Sequence, residues 1–189
     1  MSEDALIKLL KESDKRMVQS LESLTRELAT IRTGRASPSV LDRVRVEYYG
    51  DKVPVKQVGT ISAPEARLLL ISVWDKAMVK PVVDAITSSD LGLNPNNDGN
   101  IIRVPLPQLT TERRRELAKQ VSRKAEEAKV GVRSTRRETI EKLRSMQRDS
   151  TISKDDLDRY QEQVQKITDA HIKQIEAAEK AKAEEVLAG

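Results

Sequence analysis

The chain has no cysteine, which excludes disulfides, thiolate metal sites and a cysteine nucleophile. Its single histidine, His171, excludes a histidine-rich metal site. It has no phenylalanine, one tryptophan and only 2% aromatic residues, too few for stacking along single-stranded bases. No run of 18 apolar residues occurs, so no membrane-spanning helix is expected. The glycines stand at 34, 50, 59, 92, 99, 131 and 189, and none builds the Gly-rich loop with Lys and Ser/Thr that cradles nucleotide phosphates. No metal and no cofactor are therefore expected. No Ser/His/Asp arrangement can be built around His171, so no catalytic residue is assigned. The first residues, Met1-Ser2-Glu3-Asp4-Ala5, resemble neither a signal peptide nor an Arg-rich transit sequence, and a cytoplasmic protein is expected.

What the chain does have is charge. Charged residues make up 34% of its 189 positions, with 34 Lys and Arg against 30 Asp and Glu and a pI near 9.3. Such a composition suits long amphipathic helices with thin cores, and the basic balance favours an anionic partner. Residues 106–147 carry the strongest pattern. Leu117, Val121, Ala125, Ala128, Val132, Thr135, Thr139, Leu143 and Met146 recur every three or four residues, the helical period. Arg115, Lys119, Arg133, Arg137 and Arg144 fall on the opposite face. This stretch holds 12 Lys and Arg against 6 Asp and Glu, a surplus of 6 that exceeds the +4 of the whole chain.

Two more helices share the design. Residues 2–33, capped by Ser2, carry Leu6, Leu10, Ser13, Met17, Leu21, Leu24, Leu28 and Ile31 as one seam. After a break at Asp149-Ser150-Thr151-Ile152, Ser153 caps a third helix whose seam is Leu157, Tyr160, Val164, Ile167, His171, Ile175 and Ala178. His171 within that seam reads as a packing residue. The tail from Ala177 onward is rich in Ala, Glu and Lys and is expected to fray.

Between the first two helices the period becomes two. Val44, Val46 and Tyr48 predict a strand, Gly50-Asp51 a turn, and Val53, Val55 and Val58 a second strand with Pro54 at an edge. Thr60-Ile61-Ser62 and a central strand over 67–73 follow. A short helix over 78–89 packs through Val82, Val83, Ala85 and Ile86. Asn94-Pro95-Asn96-Asn97-Asp98-Gly99-Asn100 reads as turn between short strands, and a last strand covers 101–104. The expected fold is α+β: an elongated antiparallel three-helix bundle (1–33 and 106–189) with an inserted small β/α/β domain (34–105). The chain crosses between them twice. Thr33, Gly34, Arg35, Ala36, Ser37 and Pro38, with Val104, Pro105, Leu106 and Pro107, form an expected two-strand hinge.

Arginines are the candidate site. Arg32 and Arg35 flank the exit from the first helix. Arg113, Arg114 and Arg115 open the second, and Arg133, Arg136 and Arg137 lie further along it. Cations at a helix N-terminus oppose the macrodipole, so they are not placed there for helix stability. Arginine is also well shaped for bidentate phosphate contact. The alternative is a solvated face balanced by Glu112, Glu116, Glu126, Glu127 and Glu138. Two functional readings compete with nucleic-acid binding: an adaptor docking an acidic protein on this face, and an enzyme using a carboxylate-lined pocket in the α/β segment.

Several blocks carry a resemblance. They are Ile31-Arg32-Thr33-Gly34-Arg35-Ala36-Ser37-Pro38, Val46-Glu47-Tyr48-Tyr49-Gly50, Ser89-Asp90-Leu91-Gly92-Leu93-Asn94-Pro95-Asn96 and Ile102-Arg103-Val104-Pro105-Leu106-Pro107. Glu112-Arg113-Arg114, Val132-Arg133, Arg136-Arg137 and Val164-Gln165-Lys166 with Thr168-Asp169 continue them. Together they closely resemble bacterial ribosome recycling factors. The resemblance implies an L-shaped molecule and a non-enzymatic factor for ribosome recycling in protein biosynthesis, working after translation termination. It implies binding to 23S rRNA of the large ribosomal subunit through the bundle, with elongation factor G acting on the small domain and hydrolysing GTP itself. Carried over by position, the rRNA-binding candidates are Arg32, Arg35, Arg113, Arg114, Arg133, Arg136 and Arg137, with Arg113 and Arg115 the weaker. A monomer outside the membrane is expected. His171 departs from the small apolar residue common in the family.

Overall fold

The computed structural model describes residues 2–188, and side chains from Glu3 onward. The chain divides into two compact units, one holding residues before 33 together with 112–188, the other 33–111.

The first unit is three long helices: α1 (Ser2–Ala29), α3 (Thr111–Arg148) and α4 (Lys154–Ala188). The intervening α2 (Val79–Ser88) belongs to the other unit. At 1.5 Å per residue α3 is a rod of about 57 Å. Each helix buries one stripe. On α3 this is Leu117, Val121, Ala125, Val132, Thr135, Thr139 and Leu143. On α1 it includes Leu6, Ser13, Met17, Leu24 and Leu28. Cross-helix links fix the directions. From Ser13–Thr139 through Arg16–Glu138 to Glu27–Lys124, numbers rise on α1 as they fall on α3. Arg136–Gln165 and Ser122–Glu179 show the same opposition between α3 and α4. The bundle therefore runs up, down, up.

Its core admits hydroxyls because each finds a partner. Ser13 Oγ and Thr139 Oγ1 meet at 2.5 Å, and Thr139 Oγ1 lies 2.8 Å from the Thr135 carbonyl one turn back. The Ser13 hydroxyl also reaches the Leu9 carbonyl at 2.8 Å, so both buried oxygens have partners, as burial of polar groups requires. The α3–α4 turn is equally specific. Ser150 takes φ +59, and the amide of Thr151 donates to the Met146 carbonyl at 2.8 Å. Ser153 then caps α4: the Asp156 amide donates to Ser153 Oγ and the Ser153 amide to Asp156 Oδ2. This reciprocal pair is a capping box.

Several sequence expectations for the bundle change. The first helix ends at Ala29 rather than 33. The cap expected at Ser2 lies outside the described side chains. The second helix begins at Thr111, so 106–110 are not helical. Thr168, not Ile167, is the fully inward residue of α4, its hydroxyl donating to the Val164 carbonyl at 2.8 Å. The tail is helical to Ala188, with Val186 fully buried, so the expected fraying is replaced by a last turn that completes the seam.

His171 is a packing residue held at one nitrogen. It is 8% exposed, and Nε2 lies 2.7 Å from Asp14 Oδ1 on α1. Its Nδ1 is buried without a hydrogen-bond partner. Asp14 is half in solvent and loses little if the contact goes. His171→Phe should therefore leave thermal stability unchanged or raise it, since an unsatisfied buried polar atom costs about 1–3 kcal/mol. A melting temperature lowered by several degrees would show that the Asp14 contact outweighs the orphaned nitrogen.

The second unit contains a hairpin, a four-stranded sheet and α2 (Val79–Ser88). The hairpin pairs β1 (Arg45–Tyr48) with β2 (Asp51–Pro54). Its two-residue loop is Tyr49-Gly50, both at positive φ (46° and 88°), not the expected Gly50-Asp51. The sheet order is β3 (Gly59–Glu65), β4 (Leu68–Val73), β6 (Ile101–Pro105) and β5 (Asn96–Asp98), all antiparallel. β4 is central, as its apolar run predicts. The second strand stops at Pro54, and Val55–Gln57 forms a 3-10 turn. β5 occupies residues read as turn. An exposed polar edge strand needs only its backbone hydrogen bonds, and Gly99-Asn100 alone makes the turn. Val79, Val82 and Ile86 of α2 are buried in one core with Leu69, Ile71, Ile102 and Val104. Val83 and Ala85 only flank it.

The crossing segments are tied unevenly. Val104 is fully buried in β6, Pro105 pairs with Leu68, and the Leu106 amide donates to the Arg67 carbonyl at 2.8 Å. The Ala36 amide donates to the Ala66 carbonyl at 2.6 Å. Ser37 caps the 3-10 turn Pro38–Leu41.

Candidate nucleic-acid interface

A helix turns 100° per residue, so position along α3 fixes which way each cation points. Arg115, Lys119, Arg133, Arg137 and Arg144 fall within about 40° of one another on the face away from the buried stripe. All five are exposed. Arg136 sits on the shoulder between this crest and the core and is half-buried. Arg114 lies closer still to the core side, and its Nε is buried without a partner. Arg113 points about 140° from the crest and pairs with Glu116 at 3.0 Å. The crest thus gathers Arg133 and Arg137 with Arg115, as the helical spacing predicts. From Arg115 to Arg144 the line runs about 43 Å.

Carboxylates hold some of these cations. Arg133 Nη1 lies 3.3 Å from Glu126 on the same helix, both ends half in solvent. Such pairs are worth at most about 1 kcal/mol and open easily for a stronger anion. Arg16 and Glu138 meet at 2.6 Å across α1 and α3. The hydrogen bond from Arg16 holds the Glu138 carboxyl below the ordinary glutamate range, and Arg148 does the same to Glu141. Glu138 is therefore already engaged by Arg16, while Glu141, held by Arg148, also feels Arg144 of the crest. Arg115 and Arg137 have no side-chain hydrogen bond or ion pair among the described residues. Arg136 is held differently: its Nε donates to Gln165 Oε1 on α4 at 2.7 Å.

Arg32 is exposed just beyond α1 in the helical unit, and Arg35 is exposed in the other unit. In that second unit a cavity of about 430 Å³ is lined by Lys76, Val79, Lys80, Val83, Asn97 and Gly99. Its lining carries two cations and no carboxylate. No described helix is long and apolar enough to cross a membrane.

What this arrangement offers chemically is a line of four guanidinium groups and one ammonium along a single helix, suited to a backbone of phosphates. The family model described as "Ribosome recycling factor" matches residues 24–187. The chain belongs to the ribosome recycling factor family. It is 50% identical over 179 residues to the ribosome-recycling factor of Listeria monocytogenes, covering 95% of this chain and 97% of the relative. The factor of Halalkalibacterium halodurans is 49% identical over the same span. A solution structure of a ribosome recycling factor superposes with a TM-score of 0.73 at 43% identity, covering 97% of this chain and 98% of that one. A second match comes from models of the T. thermophilus ribosome recycling factor and the E. coli elongation factor G bound to the E. coli post-termination complex. There the TM-score is 0.62 at 41% identity, over 96% and 98% of the chains. Both comparisons place the α+β fold, helical bundle plus β-containing unit, among recycling factors.

Proposed function

We propose that this chain is a non-enzymatic cytoplasmic factor that binds the large ribosomal subunit after termination and, with elongation factor G, splits the complex so that ribosomes are reused. The match along almost the whole chain carries this reading. The α3 crest, with Arg136 on its shoulder, is its anchor on 23S rRNA; Arg32 is a further contact from the same unit, and Arg35 a separate candidate in the other. Guanidinium–phosphate contact suits structured RNA, read by backbone and shape. The unit of residues 33–111 receives the push of the GTPase, which supplies the energy. Exposed Tyr48, Tyr49 and Trp74 give that unit apolar surface for a protein partner.

The pivot we propose is narrower than the full crossing segments. Ala36 and Leu106 are bonded to 66–67 and move with the sheet. Arg32, Thr33, Gly34 and Arg35, with Pro107, Gln108, Leu109 and Thr110, remain as the two crossing strands that absorb rotation.

Binding to isolated large and small ribosomal subunits across a salt series tests the reading. Tight binding to the large subunit alone is expected, weakening with a log–log slope of about 0.7–0.9 per phosphate contact. Arg136→Ala should cost about 1–3 kcal/mol of binding with the melting temperature unchanged, because charge-assisted contacts are worth about that. Normal binding by that variant would remove Arg136 from the anchor, and binding to neither subunit would remove the function.

A further inference from the structure

The block Val164-Gln165-Lys166 with Thr168-Asp169 has no place in the anchor described so far. The structure gives two of its residues one. Gln165 Oε1 accepts from Arg136 Nε at 2.7 Å, and Gln165 Nε2 donates to Asp169 Oδ1 at 2.8 Å. The three side chains form a line from α4 to α3. We infer that Gln165, oriented by Asp169, is a positioning residue that aims Arg136 at an RNA phosphate; this rests on the anchor proposed above.

The chemistry of the line is directional. Asp169 is exposed and, as a carboxylate, only accepts. It therefore selects the amide nitrogen of Gln165 as its donor and turns the amide oxygen the other way. That oxygen then meets the one guanidinium nitrogen nearest the aliphatic stem. Nε is consumed, and the two terminal nitrogens of Arg136, which have no protein partner among the described residues, are left as an unpaired fork. A phosphate takes such a fork with two parallel hydrogen bonds.

The choice of an amide also matters. The other bundle arginines with a described side-chain partner are held by carboxylates: Arg16 by Glu138, Arg113 by Glu116, Arg133 by Glu126, Arg148 by Glu141 and Arg159 by Asp156. A carboxylate fixes a guanidinium but also competes with the phosphate for it. A neutral amide fixes it and leaves its charge unspent. Arg136 is thus the described bundle arginine that is both held and uncompensated at its holding contact. Arginine has many rotamers to lose, and restricting it before the RNA arrives removes part of the cost of binding.

The test is a cycle of variants measured for affinity to isolated large ribosomal subunits at fixed salt, with melting temperature beside it. Gln165→Leu keeps the stem and helix propensity but removes both hydrogen bonds. Asp169→Asn keeps the shape and releases the amide orientation, and serves if the leucine variant folds poorly. Gln165→Leu should weaken binding about two- to tenfold, the scale of one side chain losing its pre-set rotamer, and shift the melting temperature little. In an Arg136→Ala background it should have no further effect. Equal weakening in both backgrounds would overturn the inference, because Gln165 would then act without Arg136. No weakening by Gln165→Leu while Arg136→Ala binds poorly would also overturn it, and leave the anchor standing. Normal binding by Arg136→Ala would fell the anchor and the positioning role together.

Discussion

Replacing Leu143 by alanine should lower the stability of the helical unit by about 2–5 kcal/mol, the range for deleting a buried leucine side chain that its surroundings cannot refill. Leu143 is fully buried and packs in one cluster with Leu6 of α1, Ile152 of the turn, and Tyr160 and Val164 of α4. All three helices and their tightest turn converge on it. The neighbours have little to give, because the buried stripe of α3 contains only two leucines, and Ala125, Thr135 and Thr139 hold three of its seven places. A seam that thin has no spare methylenes. Two probes separate the units. Far-ultraviolet circular dichroism follows the helices, and Trp74, the sole tryptophan, is 67% exposed in the other unit. The helical transition should fall while the Trp74 transition stays. A loss under 1 kcal/mol would mean that the seam collapses freely around the void.

That seam was largely legible in the sequence, and the reason is physical. A period of 3.6 sustained over ten turns leaves one face for burial, so even Ser13, Thr135 and Thr139 were read as inward on spacing alone. The same rule fails where two positions fit equally. Ile167 and Thr168 both lie between Val164 and His171, and apolarity favoured Ile167. The Thr168 hydroxyl satisfies itself on the Val164 carbonyl and goes inward instead. Composition misled at the tail, where one valine, Val186, outweighs many Ala, Glu and Lys by closing the seam. In the small unit β5 was hidden because Asn96, Asn97 and Asp98 pair through backbone alone.

The arginines were legible by type and by face, but not by their partners. The helical period already puts Arg115 on the outer face and leaves Arg113 off it, but it does not say which cations are free. Which cations are already held depends on contacts between helices. Arg136 and Gln165 are 29 residues apart, and only the antiparallel register of α3 and α4 brings them together. The line from Asp169 to Arg136 could not be read from spacing, since no local period relates those positions.

Replacing Gly59 by alanine should destabilise the small unit by about 3 kcal/mol, the upper end for forcing an extra carbon into a closed site, while the helices melt as before. Gly59 is buried at the start of β3 and pairs with Val73 of β4. A Cβ there would stand 2.6 Å from the Ser72 carbonyl oxygen and 3.1 Å from the Val73 Cα. These atoms are backbone of the central strand, which also pairs with β6, so they cannot swing aside as a side chain would. Relief requires β3 to part from β4 at this end. The adjoining contact goes with it, because the Trp74 amide donates to the Val58 carbonyl at 3.2 Å one residue before the glycine. Trp74 fluorescence is therefore the sensitive readout, expected to shift in the folded state and to report a lower midpoint in urea. The direction distinguishes this clash from the ordinary effect of Gly→Ala: where the backbone fits alanine, the change stabilises by about 0.4–1 kcal/mol through the unfolded chain. A stabilised variant would mean that β3 rides over Ser72 with room to spare. A destabilised small unit beside intact helices would mean that the unit proposed to receive the GTPase can be loosened separately from the unit proposed to grip RNA. Such a variant should still bind the large subunit and fail to split the complex.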